Sequence, residues 1–344
     1  MPDVMQRVLD RALASGVPLS VQFDLTYRCN ERCVHCYLDH DDHGEVTTSE
    51  VKTILDQLAA EGTLFLIFSG GELLLRKDLF DLLGYARARG FDVKVKTNGI
   101  LLGATEAARL RALGIRQVQI SIYSHRAEVH DGITKVPGSL SRSLDAIRFL
   151  KAQGLRVLIA NVLMRQNVDD YPHVRALAET LGVECVIDPT ITPMMDGDPS
   201  ILAHRITAPQ LLRVFTDRSL VGDSVALPPA AYLNDAALDD LPCSAGHTAC
   251  YISPYADVYP CVQFPLPSGN LRRQTFAAIW RHSPELEQVR GIRMRDLHTC
   301  SSCGHMTTCT RCPGLAYMEG NMRGPSSADC EKSMIRAQAQ ESSR

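Results

Sequence analysis

The sequence predicts an α/β fold, in which a parallel sheet covered by helices is followed by a small cysteine-rich domain. Strand-like and helix-like segments alternate six times at near-even spacing between residues 19 and 188. Such alternation is typical of parallel strands joined by right-handed helical crossovers. Eight of the twelve cysteines follow residue 241, where the composition changes. The length of 344 residues suits two domains, or one barrel with an appendage.

Composition and charge exclude several functional classes. The formal net charge is −3, with 45% hydrophobic and 22% charged residues, which argues against a basic nucleic-acid platform. The N-terminal MPDVMQRVLDRALASG carries charge throughout, unlike a signal peptide. No apolar run approaches the ~18 residues of a membrane span. We therefore expect a cytoplasmic protein whose cysteines serve metal or redox chemistry, with disulfides the weaker interpretation.

The individual elements follow from periodicity and punctuation. A short amphipathic helix over residues 3–15 ends at Gly16 and Pro18, and the alternating LSVQFDL (19–25) is the first strand. A capping box at Thr47 and Glu50 opens a helix through about Ala60. The remaining predicted strands are 64–68, 91–97, 116–123, 155–162 and 183–188, and the remaining helices are 78–89, 104–113, 139–153, 168–181 and 208–218.

The segment CNERCVHC after the first strand carries the strongest chemical signal. Cys29, Cys33 and Cys36 have the spacing C-x3-C-x2-C. Three thiolates can ligate three irons of a [4Fe–4S] cluster and leave the fourth iron open to a substrate or cofactor. A zinc knuckle and unrelated thiols are the alternatives.

This spacing resembles the signature of the radical AdoMet enzymes. The resemblance implies a partial (β/α)6 TIM-like barrel, with the chemistry at the C-terminal ends of the strands. It also implies that the open iron chelates S-adenosylmethionine (AdoMet). One electron then cleaves AdoMet, and the 5′-deoxyadenosyl radical abstracts hydrogen from the substrate.

The resemblance also implies the AdoMet-binding residues. Gly70, Gly71 and Glu72 look like the family's GGE motif, which binds the methionyl amino group; a plain strand-to-helix turn is the alternative. His35 occupies the position of an aromatic residue beside the adenine, or is only a solvated loop residue.

Further AdoMet contacts are expected at the ends of later strands. Thr97 and Asn98 follow the third strand, and Ser121 matches a serine that contacts the AdoMet carboxylate. Lys135 lies one residue away from an arginine position of the family, and Asn161 is placed near the ribose. A solvated lysine and a structural asparagine are the rival interpretations. His130 and Asp131 are candidate acid–base groups in a predicted loop, and no catalytic residue is assigned.

The second cysteine group contains the run C-x2-C-x5-C-x2-C, which resembles the SPASM domain of peptide and protein maturases. The resemblance implies two auxiliary [4Fe–4S] clusters. The inner cluster would be held by Cys243, Cys250, Cys261 and Cys312, and the outer one by Cys300, Cys303, Cys309 and Cys330. The usual run ends in C-x3-C, and one or two zinc sites are the alternative. Cys185, in an apolar strand, is interpreted as a core residue.

These observations divide the chain into five parts. We expect an N-terminal helix (1–18), a core barrel (19–205), a linker (206–240) containing Leu227–Pro229, a SPASM domain (241–332) and a C-terminal tail (333–344).

The predicted function is that of a radical AdoMet/SPASM oxidoreductase that crosslinks, or otherwise modifies, a ribosomally made peptide. The partners are the peptide and a reductant such as flavodoxin or ferredoxin. Because the first strand begins near residue 19, leader recognition is assigned to a separate protein or to the barrel itself. An anaerobic sulfatase-maturing enzyme is ranked lower, since Val262 and Gln263 replace the acid that follows its corresponding cysteine. A tetrapyrrole or cofactor-biosynthesis enzyme remains open, and a non-catalytic electron carrier would need no AdoMet site.

Overall fold

A computed structural model describes residues 4–221 and 238–342, and a nine-stranded sheet lies at its centre. The spatial order is β6-β5-β4-β3-β2-β1-β7-β8-β9. The strands are β1 Ser20–Thr26, β2 Phe65–Gly70, β3 Asp92–Thr97, β4 Gln117–Ser121, β5 Arg156–Val162, β6 Glu184–Asp188, β7 Ala249–Ile252, β8 Asp257–Tyr259 and β9 Gly269–Asn270. Strands β1 to β6 pair in parallel, and among the described strands β6 is an unpaired edge. The expected partial barrel is confirmed.

The described residues form thirteen α-helices, and several of those between the parallel strands pack on one face of the sheet. The helices are α1 Val4–Ser15, α2 Thr48–Ala60, α3 Leu79–Ala88, α4 Ala104–Ala112, α5 Ala127–Thr134, α6 Ser139–Ala152, α7 Tyr171–Leu181, α8 Ala208–Thr216, α9 Arg218–Val221, α10 Phe276–His282, α11 Pro284–Arg290, α12 Pro313–Met318 and α13 Ser327–Ser342. The capping box of α2 forms as predicted, with Thr47 and Glu50 bonding each other's backbone N–H. None of the helices in the described ranges has the length and apolar character needed to cross a bilayer.

The two faces of the parallel strands differ sharply. On β1, Val21, Phe23 and Leu25 are fully buried in the main apolar core beneath the helices. The alternate residues Gln22 and Asp24 point to the other side, as the two-residue period of a strand requires. The concave interior of the barrel is therefore polar.

One element differs from its prediction. The segment containing His130, Asp131 and Lys135 was expected to be a loop, but residues Ala127–Thr134 form α5. His130 and Ile133 are buried three positions apart, which is helical spacing. The sequence signal was weak because α5 has only eight residues and contains Gly132.

The C-terminal cysteine region joins the same sheet. Strand β7 pairs in parallel with β1, and β8 and β9 continue the sheet in antiparallel fashion. Helix α13 packs against α8, where Ile335 and Ala339 meet Leu211 and Val214. Helix α8 falls in the stretch predicted as a linker, whose Leu227–Pro229 lies outside the described residues. The division of the chain into five parts remains a prediction.

Candidate active site

A cavity of about 330 Å³ lies at the C-terminal ends of the parallel strands. Many of the residues singled out in the sequence meet there. Those that line the cavity are Cys29, Cys33, His35, Cys36, Gly70, Gly71, Thr97, Asn98 and Ser121. The lining does not include Glu72, Lys135 or Asn161.

The cysteine loop is fastened to the barrel on two sides. The backbone N–H groups of Arg32 and Val34 donate to the carbonyls of Thr134 and Ile133, each at 3.0 Å, which binds the loop to the end of α5. On the other side, the Asn98 amide donates to Asn30 Oδ1 at 2.7 Å and lies 3.9 Å from Cys29 Sγ. The three thiols are therefore held at the cavity by backbone geometry.

Burial governs the protonation of these thiols. It raises the pKa of Cys29 to about 12 and that of Cys36 to about 11, and it raises the pKa of Cys33 well above its usual range. Glu31 bonds Cys33 Sγ at 3.3 Å, and its own pKa rises to about 7 for the same reason. A thiolate at this place needs a cation or metal centre to stabilise it.

The two glycines of GGE serve a close backbone approach. Gly70 has φ +132°, and a Cβ there would lie 2.1 Å from the carbonyl oxygen of Thr26. A Cβ on Gly71 would lie 2.3 Å from the carbonyl oxygen of Arg28. The glycines thus let the end of β2 dock against the chain that enters the cysteine loop.

The structure places the Glu72 carboxylate behind the cavity wall. The side chain is fully buried and accepts bonds from the backbone N–H groups of Leu74 and Asn98, both at 2.9 Å. The Thr97 hydroxyl donates to it at 2.8 Å. Glu72 therefore fixes the ends of β2 and β3, and its predicted direct contact with the AdoMet amino group stays a prediction.

Aromatic rings form one wall of the cavity. His35 meets Tyr123 edge-on, with ring centroids 4.8 Å apart, and Tyr123 stacks on His130 at 5.4 Å. Burial lowers the pKa of both histidines to about 4, so both rings are neutral near pH 7. The ring faces of this wall suit a planar base.

The other predicted residues are engaged elsewhere. Lys135 is exposed and caps α5 in a left-handed conformation (φ +62°). Asn161 is buried and donates to the carbonyl of Ile122 at 2.6 Å. Asp131 accepts bonds from the N-terminal backbone of α6 at Gly138 and Leu140. For these three the structure shows a structural role, and it brings none of them to the cavity.

Sequence reasoning missed the polar floor of the cavity. Gln22, Lys96 and Gln119 line it from β1, β3 and β4, and Val262 and Gln263 reach it from the residues after Cys261. The available signal was the alternation of polar with apolar residues in these strands. On a barrel strand, the polar face can point inward.

The C-terminal cysteines gather around two further places. Cys300, Cys303, Cys309 and Cys330 all line a second cavity of about 400 Å³. For the other set, burial raises the pKa of Cys261, and nearby Cys243 and Cys312 raise it further. Cys250 is buried on β7, and proximity to Cys261 adds to its raised pKa. The division of these cysteines into an inner and an outer ligand set stays a prediction.

The spacing of these side chains bears on the kind of metal centre. All twelve cysteines are free thiols. Within residues 4–221 and 238–342, no three His, Cys, Asp or Glu side chains lie close enough to hold one metal ion. The four thiols around the second cavity equal in number the four cysteines that hold a [4Fe–4S] cluster.

Comparison with known proteins identifies the family. The profile described as "Radical SAM superfamily" matches residues 23–178, and the SPASM profile, an iron-sulfur cluster-binding domain, matches residues 243–313. The mycofactocin maturase MftC of Mycobacterium ulcerans is 32% identical over 307 residues, covering 85% of this chain and 82% of its own. The chain belongs to the radical SAM superfamily and carries a SPASM domain.

Two further similarities bear on this radical SAM enzyme. The AdoMet-dependent heme synthase of Methanosarcina barkeri is 28% identical over 330 residues, covering 88% of this chain and 93% of its own. The crystal structure of Streptococcus suis SuiB bound to precursor peptide SuiA shares the fold. It has a TM-score of 0.71 at 15% identity and covers 94% of this chain and 79% of that one.

Iron-sulfur clusters and AdoMet are therefore the cofactors of this enzyme, and the residues present fit them. Three thiols face a cavity whose wall also carries the buried, unpartnered atoms Glu31 Oε1 and His35 Nδ1. Buried polar atoms without a partner indicate room for a further polar group.

Proposed function

We propose that this radical SAM/SPASM enzyme abstracts hydrogen from a ribosomally made peptide and installs a crosslink or a related modification. One observation carries the proposal. The cavity is bounded on one side by the cysteine loop and on another by Val262 and Gln263, which directly follow Cys261. A peptide side chain in this cavity would thus lie beside the radical site and close to the inner auxiliary set. MftC is a maturase, and SuiB is seen with a precursor peptide, which supports the same class.

Each part of the cavity has a proposed role. Cys29, Cys33 and Cys36 ligate one [4Fe–4S] cluster and leave an open iron for AdoMet. AdoMet supplies a 5′-deoxyadenosyl radical when it is reduced there. The neutral rings of His35 and Tyr123 form a face for the adenine.

Further lining residues orient AdoMet. Ser121 offers a hydroxyl to its carboxylate, and Thr97 and Asn98 at the end of β3 line the same space. The backbone at Gly70 and Gly71 also lines this space and is proposed to receive the amino group of AdoMet.

The auxiliary sets would hold two further [4Fe–4S] clusters. The inner set is Cys243, Cys250, Cys261 and Cys312, and the outer set is Cys300, Cys303, Cys309 and Cys330. Crosslinking removes one electron after hydrogen abstraction, and the inner set lies next to the cavity through Val262 and Gln263. A flavodoxin or ferredoxin supplies the reducing electron, and a separate protein or the barrel itself holds the leader.

A tetrapyrrole substrate is the second candidate, favoured by the similarity to heme synthase over nearly the whole chain. The peptide ranks first because the maturase MftC has the higher identity, 32% against 28%, and because SuiB, which shares the fold, is seen with a precursor peptide. Sulfatase maturation ranks lower, because the residues after Cys261 that reach the cavity, Val262 and Gln263, carry no carboxylate.

The test is anaerobic turnover with AdoMet, a reductant and the precursor peptide encoded beside the gene. A crosslink appears as a loss of about 2 Da, with 5′-deoxyadenosine formed in step. An epimerisation leaves the mass unchanged in H2O and incorporates one deuterium from D2O. Parallel reactions contain a sulfatase peptide or an iron coproporphyrin. Formation of 5′-deoxyadenosine with one of these, and never with the precursor, would assign the enzyme to the corresponding alternative class.

A further inference from the structure

Lys96 lies on the polar floor of the active-site cavity, and nothing so far gives it a function. It is on β3, next to Gln119 of β4 in the strand register, and both residues line the cavity. Lys94, two residues earlier, is exposed. A lysine that is partly buried in an active-site cavity costs desolvation free energy, which here lowers its pKa.

The ammonium group of Lys96 has donors to spare. It donates one hydrogen bond to Gln22 Oε1 at 3.0 Å, and an ammonium carries three N–H donors. Among the described residues, no carboxylate oxygen lies within 4 Å of Lys96 Nζ, although such pairs are found for Lys52 and Lys332. A cation in a cavity wall with one neutral partner is poorly compensated.

The titratable groups around Lys96 act on its pKa in opposite directions. Asp24 on β1 and Cys261 beside β8 favour the charged form, whereas Lys94 on its own strand opposes it. Asp24 is fully buried and accepts bonds from Gln22 Nε2 at 3.1 Å and Tyr251 Oη at 3.0 Å. It does not line the cavity, so Gln22 stands between the two charges. The group presented to a ligand is the cation.

We propose that Lys96 is a substrate-binding residue that anchors a carboxylate of the substrate, with Gln119 beside it as a neutral donor. The inference rests on the proposed function, and for a peptide the carboxylate is either an acidic side chain or the C-terminus. Anchoring at this depth holds the neighbouring carbon atoms near the cysteine loop and Ser121, which line the same cavity. Lys96 thereby selects which part of the substrate enters.

The first test needs no knowledge of the substrate. The reconstituted enzyme with AdoMet is labelled briefly with acetic anhydride at pH 8, and acetylation of Lys96 and Lys94 is read by mass spectrometry. Propionate, a minimal carboxylate, should reduce labelling of Lys96 at least threefold. Propionamide, its neutral analogue, should not protect Lys96, and labelling of Lys94 should be the same in every sample. No labelling of Lys96 in the absence of propionate, or equal protection by both compounds, overturns the proposal.

The second test finds the source of the carboxylate and uses the precursor peptide. Lys96→Met should raise KM about tenfold or more through loss of a charge-assisted bond, and Lys96→Arg should restore much of it. Lys96→Met should leave the iron content and the AdoMet affinity unchanged. The control variant Lys94→Met should leave KM unchanged as well. With the wild-type enzyme, amidating the C-terminus of the peptide or replacing its acidic residues by amides should raise KM as Lys96→Met does. With the Lys96→Met enzyme, the same altered peptides should raise KM no further. Labelling protection without peptide turnover would retain the carboxylate site and reject the peptide.

Discussion

The cysteine loop and the C-terminal cysteine region bind the same kind of group but are built differently. The loop containing Cys29, Cys33 and Cys36 is mounted on six parallel strands over a large apolar core. The outer C-terminal set is carried by short 3-10 turns at 294–296, 300–302 and 306–308 and by α13. The inner set lies closer to the sheet, because Cys250 belongs to the main core and a small core of Ala245, Phe264 and Val289 adjoins Cys261. We therefore expect the barrel to fold on its own packing, and the outer part of the C-terminal region to depend on its metal centre.

Removing the loop thiols should have the largest effect on activity and little effect on the barrel. With Cys29, Cys33 and Cys36 replaced by Ala, AdoMet cleavage should vanish. About four irons of an expected ~12 should be lost, since a cube holds four. The thermal transition of the barrel should persist, because its sheet and core are intact. Iron analysis and calorimetry measure this, with Cys185→Ser as control: Cys185 packs against the main core, and its replacement should not change the iron count. Collapse of the barrel in the triple variant would contradict the comparison.

Gly70→Ala should disturb the contact between the end of β2 and the chain that enters the cysteine loop. Its Cβ would lie 2.1 Å from the Thr26 carbonyl, at a φ that L-residues rarely adopt. The free energy of unfolding should fall by about 2 kcal/mol or more, as measured by urea denaturation. Gly132→Ala is the matched control, because α5 has open space there and ordinary φ, and it should be neutral or slightly stabilising. Similar results for both variants would show that the close approach does not matter.

Glu72→Gln should loosen the ends of β2 and β3. The carboxylate accepts two backbone N–H bonds and one hydroxyl bond, whereas a Gln side chain turns an NH2 group toward one of these donors. We expect a stability loss of roughly 1–3 kcal/mol, with weaker AdoMet binding and intact clusters. Calorimetry and AdoMet titration test both effects. Weaker AdoMet binding with unchanged stability would instead favour a direct contact with the amino group.

Arg272→Met should have the smallest effect, because it breaks a surface pair between the two regions. Arg272 donates to Glu50 at 2.7 Å and, together with the backbone N–H of Thr47, holds the pKa of Glu50 at about 2, below its ordinary 4.5. The pair therefore stabilises the fold above pH 4.5, and this contribution is lost as pH falls from 4.5 to 2. We expect a loss below about 1 kcal/mol near pH 7 that shrinks through this window. Urea denaturation against Arg273→Met, an exposed neighbour, measures it; a constant difference across pH would contradict the assignment.

Much of the site could be predicted because its signals are local. Strand periodicity, the spacing of Cys29, Cys33 and Cys36, and the two glycines all lie within short segments. The direction in which a side chain points was harder to predict from the sequence, since the Glu72 carboxylate turns toward Asn98, 26 residues later. Lys96 was overlooked because alternating polar residues usually mark a solvent face, and here that face lines the barrel interior. These choices are made by tertiary packing, which local patterns do not encode.

Hydrogen–deuterium exchange of the iron-free and the reconstituted enzyme tests the comparison most directly. The two states should show equal protection in β1 to β6, because their hydrogen bonds and core do not depend on metal. Residues 294–312 should exchange much faster without iron, since their turns surround the second cavity and lie outside the sheet. Equal protection of residues 294–312 in both states, or loss of protection in the barrel strands, would contradict the account.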